Sequence, residues 1–447
     1  MRRLLLLLSC SLIAATPVAV LPSTATAQQA SVEAPAPALD ARAVVGEVRR
    51  VIAARYVVAE RRAALDAVLA EGLASGRYDV AEPAVLAERI NADLETVGRD
   101  RHLGFSLSPG QAAILSAQQN ATAPDNSGFE RQVRSANHGV TELRLLPGNV
   151  RYMAYDGFMW IGPESAVALE TAMRFLVGGD AIIIDLRRNG GGDAEPSRYM
   201  LSHFMAPGQA LYDYFEEGAG ASTRISTMEE PLPAGRVIGK PLYLLTSGDT
   251  MSAAEEFTGN VKGFELGEIV GENTAGGGHP NAFVPIDGRF VLSVSVGRVV
   301  LASTGRDWEG VGFSPTIPTA APQALDAAHA HALRRLAPTA RAEDRPRLEA
   351  MAEGIAARVQ PASPARPLTA YTGAFGERTV RMEDGKLYYR FGERPRRTMI
   401  PVGGDAFTLE NDPALRIHFI PSGDSITAIE VVATPGRPPQ GRYERTE

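Results

Sequence analysis

The sequence predicts an α/β protein with a small helical bundle first, a central mainly parallel sheet next and a small all-β domain last. Three observations carry this reading. Val44, Val45, Val48, Val51 and Ile52 recur at three-to-four spacing, the period of an amphipathic helix. Further on come continuous apolar runs, Ala181 to Leu186 and Pro241 to Leu245, as in strands buried on both faces. Helical stretches separate them, and strand–helix alternation builds parallel sheets. From Leu368 the texture changes to short strand-like runs joined by turn residues.

Residues 1–27 read as an export signal. Met1-Arg2-Arg3 is a charged start, Leu4 to Val20 an apolar run and Ala25-Thr26-Ala27 a small-residue cleavage site. Cys10, the single cysteine, lies inside this run. It offers a lipoprotein alternative, which the continuation of the apolar run past it disfavours. Cleavage after Ala27 leaves no cysteine, hence no disulfide and no thiol chemistry. The expected location is periplasmic or extracellular.

Residues 28–40 are rich in Ala, Pro and Gln and read as a flexible lead-in. Residues 41–108 read as the bundle, where Leu65, Val68, Leu69 and Leu73 repeat the helical period. Residues 109–130 are polar and read as loop. Residues 130–320 read as the central domain. Val150 to Tyr155 is a strand, Glu164 to Leu176 a helix, and Ala181 to Leu186 a strand ending in Arg187-Arg188-Asn189-Gly190-Gly191-Gly192. After Pro241 to Leu245, further strands fall at Ile269-Val270-Gly271 and within Phe290 to Val300. Residues 321–367 read as a helical linker and 368–447 as the β domain. There Asp384-Gly385 is a hairpin signal, and Ile417 to Ile420 and Ile426 to Val432 are strands.

A chain of 447 residues, 45% hydrophobic and 22% charged, has room for two to four domains with sizeable cores. The net charge of −7 gives no basic footprint for nucleic acid. No segment after the signal is long and apolar enough to span a membrane. Lysine is confined to Lys240, Lys262 and Lys386.

The stretch with most chemical content is Thr246-Ser247-Gly248-Asp249-Thr250-Met251-Ser252-Ala253-Ala254-Glu255-Glu256-Phe257. Here a buried-type strand runs through a polar turn into a helix that begins at Ser252. A hydroxyl at a helix N-terminus faces free N–H groups that favour developing negative charge. Ser252-x-x-Glu255 is equally a capping box that needs no catalysis. A nucleophile also requires a base and an oxyanion hole. His102 and His279 compete for the base, whereas His329 and His331 read as surface residues on an Ala-rich helix. The oxyanion donors would be the N–H of Ala253 and one within Gly190 to Gly192.

Four pieces in order resemble the S41 peptidases: Asp100-x-His102, Asp185-Leu186-Arg187-x-Asn189-Gly190-Gly191-Gly192, Ser252-Ala253-Ala254-Glu255, and Trp308-Glu309-Gly310-Val311-Gly312-Phe313-x-Pro315. The resemblance spans roughly residues 40–320 and implies a ClpP/crotonase-like central fold. C-terminal processing members of that family use a Ser–Lys dyad. No lysine lies suitably beyond Ser252, and Lys262, ten residues along the same helix, is about 15 Å away. Residues 106–140 are also too few for the PDZ domain these members carry. The resemblance therefore points to the tricorn and retinoid-binding-like branch. It implies Ser252 as nucleophile, His102 as base, Glu309 as orienting carboxylate, and Gly191 with Ala253 as oxyanion donors. The second serine of that branch is expected just before the histidine, where Arg101 stands; Ser106 is a possible substitute, and Asp100 reads as a turn residue. The β domain weakly resembles lipocalin-like barrels appended to bacterial serine hydrolases.

The expected function is an exported serine endopeptidase acting on peptide or protein substrates through an acyl-enzyme. No cofactor or metal is expected. Two alternatives stay open at this point. One is a non-catalytic module of the same fold that binds a lipophile or peptide. The other is an esterase or amidase, since the same constellation serves all acyl transfer.

Overall fold

The computed structural model describes residues 38–121, 125–433 and 438–446. The expected export signal, Cys10 and most of the 28–40 lead-in lie outside the described residues.

Three helices form the bundle: Ala41–Arg55, Ala59–Ala74 and Pro83–Gly98. Their apolar stripes close on Val45, Val48, Leu65, Leu69, Ile90 and Leu94, all solvent-free. The Asp40 carboxylate starts the first helix by accepting the Ala43 N–H at 3.0 Å, one of the donors a helix start leaves unpaired. The strand Gly104–Leu107 then pairs antiparallel with Phe290–Ser295, which pairs in turn with Asn281–Ile286. Phe290, Leu292 and Val294 thereby enter the bundle's own core. This pairing fixes the turn at residues 99–103, which carries His102.

The polar segment read as loop contains two helices, Pro109–Asn120 and Ser127–Ser135. Their apolar content is thin. Ala112 and Val133 are buried, while Ile114 stays 60% exposed, so the helical period hardly shows.

The central sheet has six strands in the order Ile317–Pro318, Glu268–Gly271, Leu242–Thr246, Ala181–Asp185, Val150–Tyr155, Val140–Leu146. All neighbours run parallel except the last pair. Side chains alternate between two covered faces, as the strand period demands. Met153, Ile182, Ile184, Leu242 and Leu244 pack under the helices Pro163–Val177, Ala194–Leu201 and Ala253–Gly263. Tyr152, Ile183, Tyr243, Leu245 and Val270 pack under Ala324–Leu336 and Arg345–Val359. His329, expected at the surface, is buried in this second layer with Nε2 2.8 Å from the Pro147 carbonyl. His331 lies beside it, Nδ1 3.0 Å from the Tyr243 hydroxyl. Because the strands are parallel, the turns after Tyr155, Asp185, Thr246 and Gly271 gather along one edge, where open α/β sheets hold ligands.

The C-terminal region is an eight-stranded antiparallel meander from Gly373–Phe375 to Gly441–Glu444. A bridge between Phe375 and Arg445 nearly closes it into a barrel around Tyr371, Phe375, Phe407 and Phe419. The hairpin at Asp384-Gly385 forms with both residues at positive φ, 47° and 73°, as a two-residue primed turn requires. The barrel docks through buried Arg416, which donates to the Ala350 carbonyl at 2.6 Å and to Glu353 at 2.7 Å.

Candidate active site

Ser252 ends the turn after Leu242–Thr246 and caps the helix Ala253–Gly263. Its backbone has φ 57° and ψ −122°, a region that a side-chain-bearing residue rarely adopts and that functional sites retain. The turn is tied to the adjacent strand end. Thr250 Oγ1 donates to the Leu186 carbonyl at 2.8 Å, and Ser247 Oγ donates to the Arg187 carbonyl at 2.6 Å. The Met251 N–H donates to the Asn189 carbonyl at 3.1 Å.

Asn189 joins the two turns. It is fully buried, its Nδ2 donates to the Tyr155 carbonyl at 2.7 Å, and its Oδ1 accepts the Gly191 N–H at 2.9 Å. Gly191 has φ +99°, and a Cβ there would stand 2.6 Å from Ser252 Cβ and 3.0 Å from the Ala253 nitrogen. Only glycine permits that approach. The turn thus lies directly against the serine. The Ala253 N–H, at the first helical position, is the helix's own unpaired donor. The Gly191 N–H, expected to be free, is already donated to Asn189.

Glu255, read as a helix cap, is a hub. It is solvent-free. Its Oε2 accepts the N–H groups of Ser252 at 3.1 Å and Gly277 at 2.7 Å. Its Oε1 accepts Thr274 Oγ1 at 2.5 Å and the Gly276 N–H at 2.7 Å. The carboxylate therefore fixes the serine and the 274–277 loop to each other.

That loop leads to the histidines. A Cβ on Gly277 would stand 3.0 Å from His102 Cε1 and 2.7 Å from Met251 Cε, so His102 and the residue before Ser252 both pack on Gly277. His102 is buried and its Nδ1 has no hydrogen-bond partner. Burial pushes its pKa down to about 4, against the opposing pull of Asp100; the ring is neutral at neutral pH. A ring nitrogen of His102, an oxygen of Asp100 and an oxygen of Glu309 lie within 4.8 Å of one another.

Neither carboxylate hydrogen-bonds the His102 ring. Glu309 Oε1 accepts the Arg101 N–H at 3.0 Å, and Oε2 accepts the N–H groups of Gly278 at 2.6 Å and His279 at 3.0 Å. Burial and the neighbouring Asp100 push Glu309 above the usual carboxylate range. Asp100 accepts the His102 N–H and Ser295 Oγ, each at 2.9 Å, and lies 3.1 Å from His279 Nδ1. Burial pushes Asp100 up, but the hydrogen bonds from His279, the His102 N–H and Ser295 outweigh it, and its pKa falls. Asp100 is therefore a buried anchor as well as a turn residue. Asp100, His102 and Glu309 are also metal-ligand types, but each carboxylate already accepts hydrogen bonds on both oxygens.

The sequence missed several of these groups. Ser106 is exposed on its strand and does not join the cluster. The serines that do are Ser295, on Asp100, and Ser293, whose hydroxyl donates to the His102 carbonyl. Both sit on the strand that pairs with Gly104–Leu107, a long-range contact with no local signal. Trp308, whose Nε1 donates to the Gly277 carbonyl at 3.2 Å, holds the same loop from its far side.

Residues 149–319 match the model of peptidase family S41. Among solved structures the chain is similar to a candidate S41 protease of Bacteroides fragilis, at 22% identity and TM-score 0.37 over 42% of this chain and 53% of that one. The chain thus spans about half the length of that relative. It is also similar to a candidate peptidase of Parabacteroides merdae, at 17% identity and TM-score 0.45 over 63% and 90%. A third similarity is to the photosystem II D1 C-terminal processing protease, at 16% identity and TM-score 0.41 over 63% and 94%. The segment that matches the peptidase family S41 model carries Asn189, Gly191, Ser252 and Glu309.

Proposed function

We propose that the protein hydrolyses peptide bonds through an acyl-enzyme on Ser252, in the manner of the tricorn and retinoid-binding-like branch and on a ClpP/crotonase-like sheet. The observation that carries this is the placement of Ser252. It stands at a positive-φ elbow on a helix start, pressed against Gly191 and sharing the Gly277 loop with His102.

Ser252 Oγ attacks the carbonyl, and the neutral imidazole of His102 takes its proton. The Ala253 N–H supplies one oxyanion donor, and Gly191 supplies the second by sharing its N–H between Asn189 and the oxyanion. Glu309 acts on the base by fixing the Arg101 N–H beside it, and its charge steadies the imidazolium. His102 returns the proton to the leaving amine and then activates the water that releases the acyl group. A dyad with lysine is unsupported. Lys262 Nζ is held on the Ser314 carbonyl at 2.6 Å at the far end of the helix, and Lys240 Nζ on the Val177 carbonyl at 2.6 Å. We read the chain as exported, from the character of residues 1–27. No helix among the described residues is long and apolar enough to cross a membrane.

The test is casein hydrolysis beside nitrophenyl ester hydrolysis, with wild type and Ser252→Ala. Casein cleavage lost in Ser252→Ala is expected. Ester turnover without casein cleavage would replace the peptidase reading by the esterase one, and no turnover of either would favour the binding module.

A further inference from the structure

A cavity of about 190 Å³ opens beside Ser252. Tyr212, Tyr214, Ile225, Val299 and Trp308 wall it, and Glu256 closes one side. Glu256 stands in the first turn of the helix that Ser252 caps, and both residues line the cavity. Glu256 is 4% exposed. Its Oε1 accepts Asn260 Nδ2 at 2.6 Å, and its Oε2 has no hydrogen-bond partner. The acyl transfer described above does not use this group, and buried polar atoms left unpaired call for an explanation.

We propose that this cavity receives the substrate side chain on the acyl side of the scissile bond, that it selects large uncharged side chains, aromatic or branched aliphatic, and that Glu256 sets this choice as a neutral polar wall. The inference rests on the reading of Ser252 as nucleophile. Size is the first argument. An apolar cavity of roughly 150 Å³ holds one benzene ring, so this one admits a single large side chain. Charge is the second. Burial pushes the Glu256 carboxyl up to about 8, so it is protonated at neutral pH. The groups facing it are Ser197 and Asn260, with Asp193, Glu195, Arg198 and Tyr212 around the cavity. Arg198 is engaged, donating to the Ser226 carbonyl at 2.7 Å and lying 3.7 Å from Glu195. An anionic side chain would meet these carboxylates. A cationic one would have to shed its water and ionise Glu256, a cost that an uncharged side chain avoids.

The experiment uses peptidyl diphenyl phosphonates that differ only in this side chain: Phe, Leu, Ala, Lys or Asp. Labelling rates are measured at pH 7 and pH 9 for the wild type and for Glu256→Gln. Phe and Leu probes are expected to label at least tenfold faster than Lys or Asp at pH 7, in both proteins. Between pH 7 and 9 the wild-type rate with Phe should fall roughly tenfold more than in Glu256→Gln, as a group of pKa about 8 loses its proton. Labelling indifferent to the side chain, a preference for Lys at pH 7, or the same pH response in both proteins overturns this inference and leaves the nucleophile intact. No labelling by any probe overturns the nucleophile and this inference together. Should Glu256→Gln fail to fold, Val299→Phe, which fills the cavity from another wall, takes its place. It is expected to move the preference toward the Ala probe, and an unchanged order overturns the proposal.

Discussion

Replacing Glu255 by Gln should cost both stability and reactivity, because this carboxylate joins the serine to the loop beside His102. Four donors meet its two oxygens: the Ser252, Gly276 and Gly277 N–H groups and Thr274 Oγ1. Glutamine keeps one acceptor oxygen and turns an NH₂ toward the other pair of donors. Two hydrogen bonds to a charged acceptor are lost, each worth roughly 1.5–3 kcal/mol. The sum, roughly 3–6 kcal/mol, is a large part of the roughly 5–15 kcal/mol a folded domain has. The protein should still fold, with Tm lower by on the order of 10 °C. Freed of its anchor, Ser252 loses its fixed position against Gly191 and the Gly277 loop. Misplacement by about 1 Å is enough to cost roughly 10²-fold in rate. Thermal unfolding by circular dichroism measures the first effect and the rate of fluorophosphonate labelling the second. A Tm within about 2 °C of wild type, together with a wild-type labelling rate, would refute the assignment of Glu255 as the hub.

Further outcomes follow from the same geometry. Gly191→Ala would put a Cβ 2.6 Å from Ser252 Cβ at φ +99°, and fluorophosphonate labelling should fall by at least about 10²-fold; an unaffected rate would separate the glycine turn from the serine. His102→Ala should lower kcat by roughly 10²–10⁴-fold, while His279→Asn, which loses the partner of Asp100, should mainly lower Tm; the reverse order in a peptide-hydrolysis assay would move the base to His279. The neutral state of His102 also sets a pH dependence. In the unfolded chain the ring binds a proton near its ordinary pKa of 6.5, and in the folded protein only near 4. The unfolded state therefore holds more protons between these values, and stability falls as pH drops through this window, by roughly 3 kcal/mol in all. Denaturant titrations of wild type and His102→Gln at pH 7 and pH 4.5 measure this, and an equal loss in both proteins would contradict it. The acid limb of kcat/KM should likewise lie well below 6.5. Glu256 acts oppositely. Its folded pKa of about 8 is raised from 4.5, so its contribution to stability declines as pH rises from about 4.5 toward 8, and Glu256→Gln should flatten that decline in the same titrations.

The elements that the sequence made legible are those with strong local signals. The bundle helices declare themselves through Val44 to Ile52, the parallel strands through Ile182 to Ile184 and Leu242 to Leu245, and the hairpin through Asp384-Gly385. The strands Ala210–Glu216 and Asn281–Ile286 went unread because their partners, Gly297–Leu301 and Phe290–Ser295, are fixed by tertiary pairing. The helix Pro109–Asn120 buries too little apolar surface to show a period. At the site, Ser252 and the glycine turn were visible because strand-end turns have their own composition. The roles of Glu255, Asn189 and Ser295 were not, since each acts on partners 19 residues away or more, such as Thr274, Tyr155 and Asp100. His329 reads as a surface residue because its helix is rich in alanine and poor in large apolar residues, yet the small alanines are what let that helix lie close against the sheet.

Identification of the modified residue after fluorophosphonate labelling tests the central claim most directly. The wild-type protein is digested and the adduct located by mass spectrometry. The account predicts a single adduct on Ser252, absent from Ser252→Ala and strongly slowed in His102→Ala. An adduct on another residue, or equal labelling of Ser252→Ala, would contradict it.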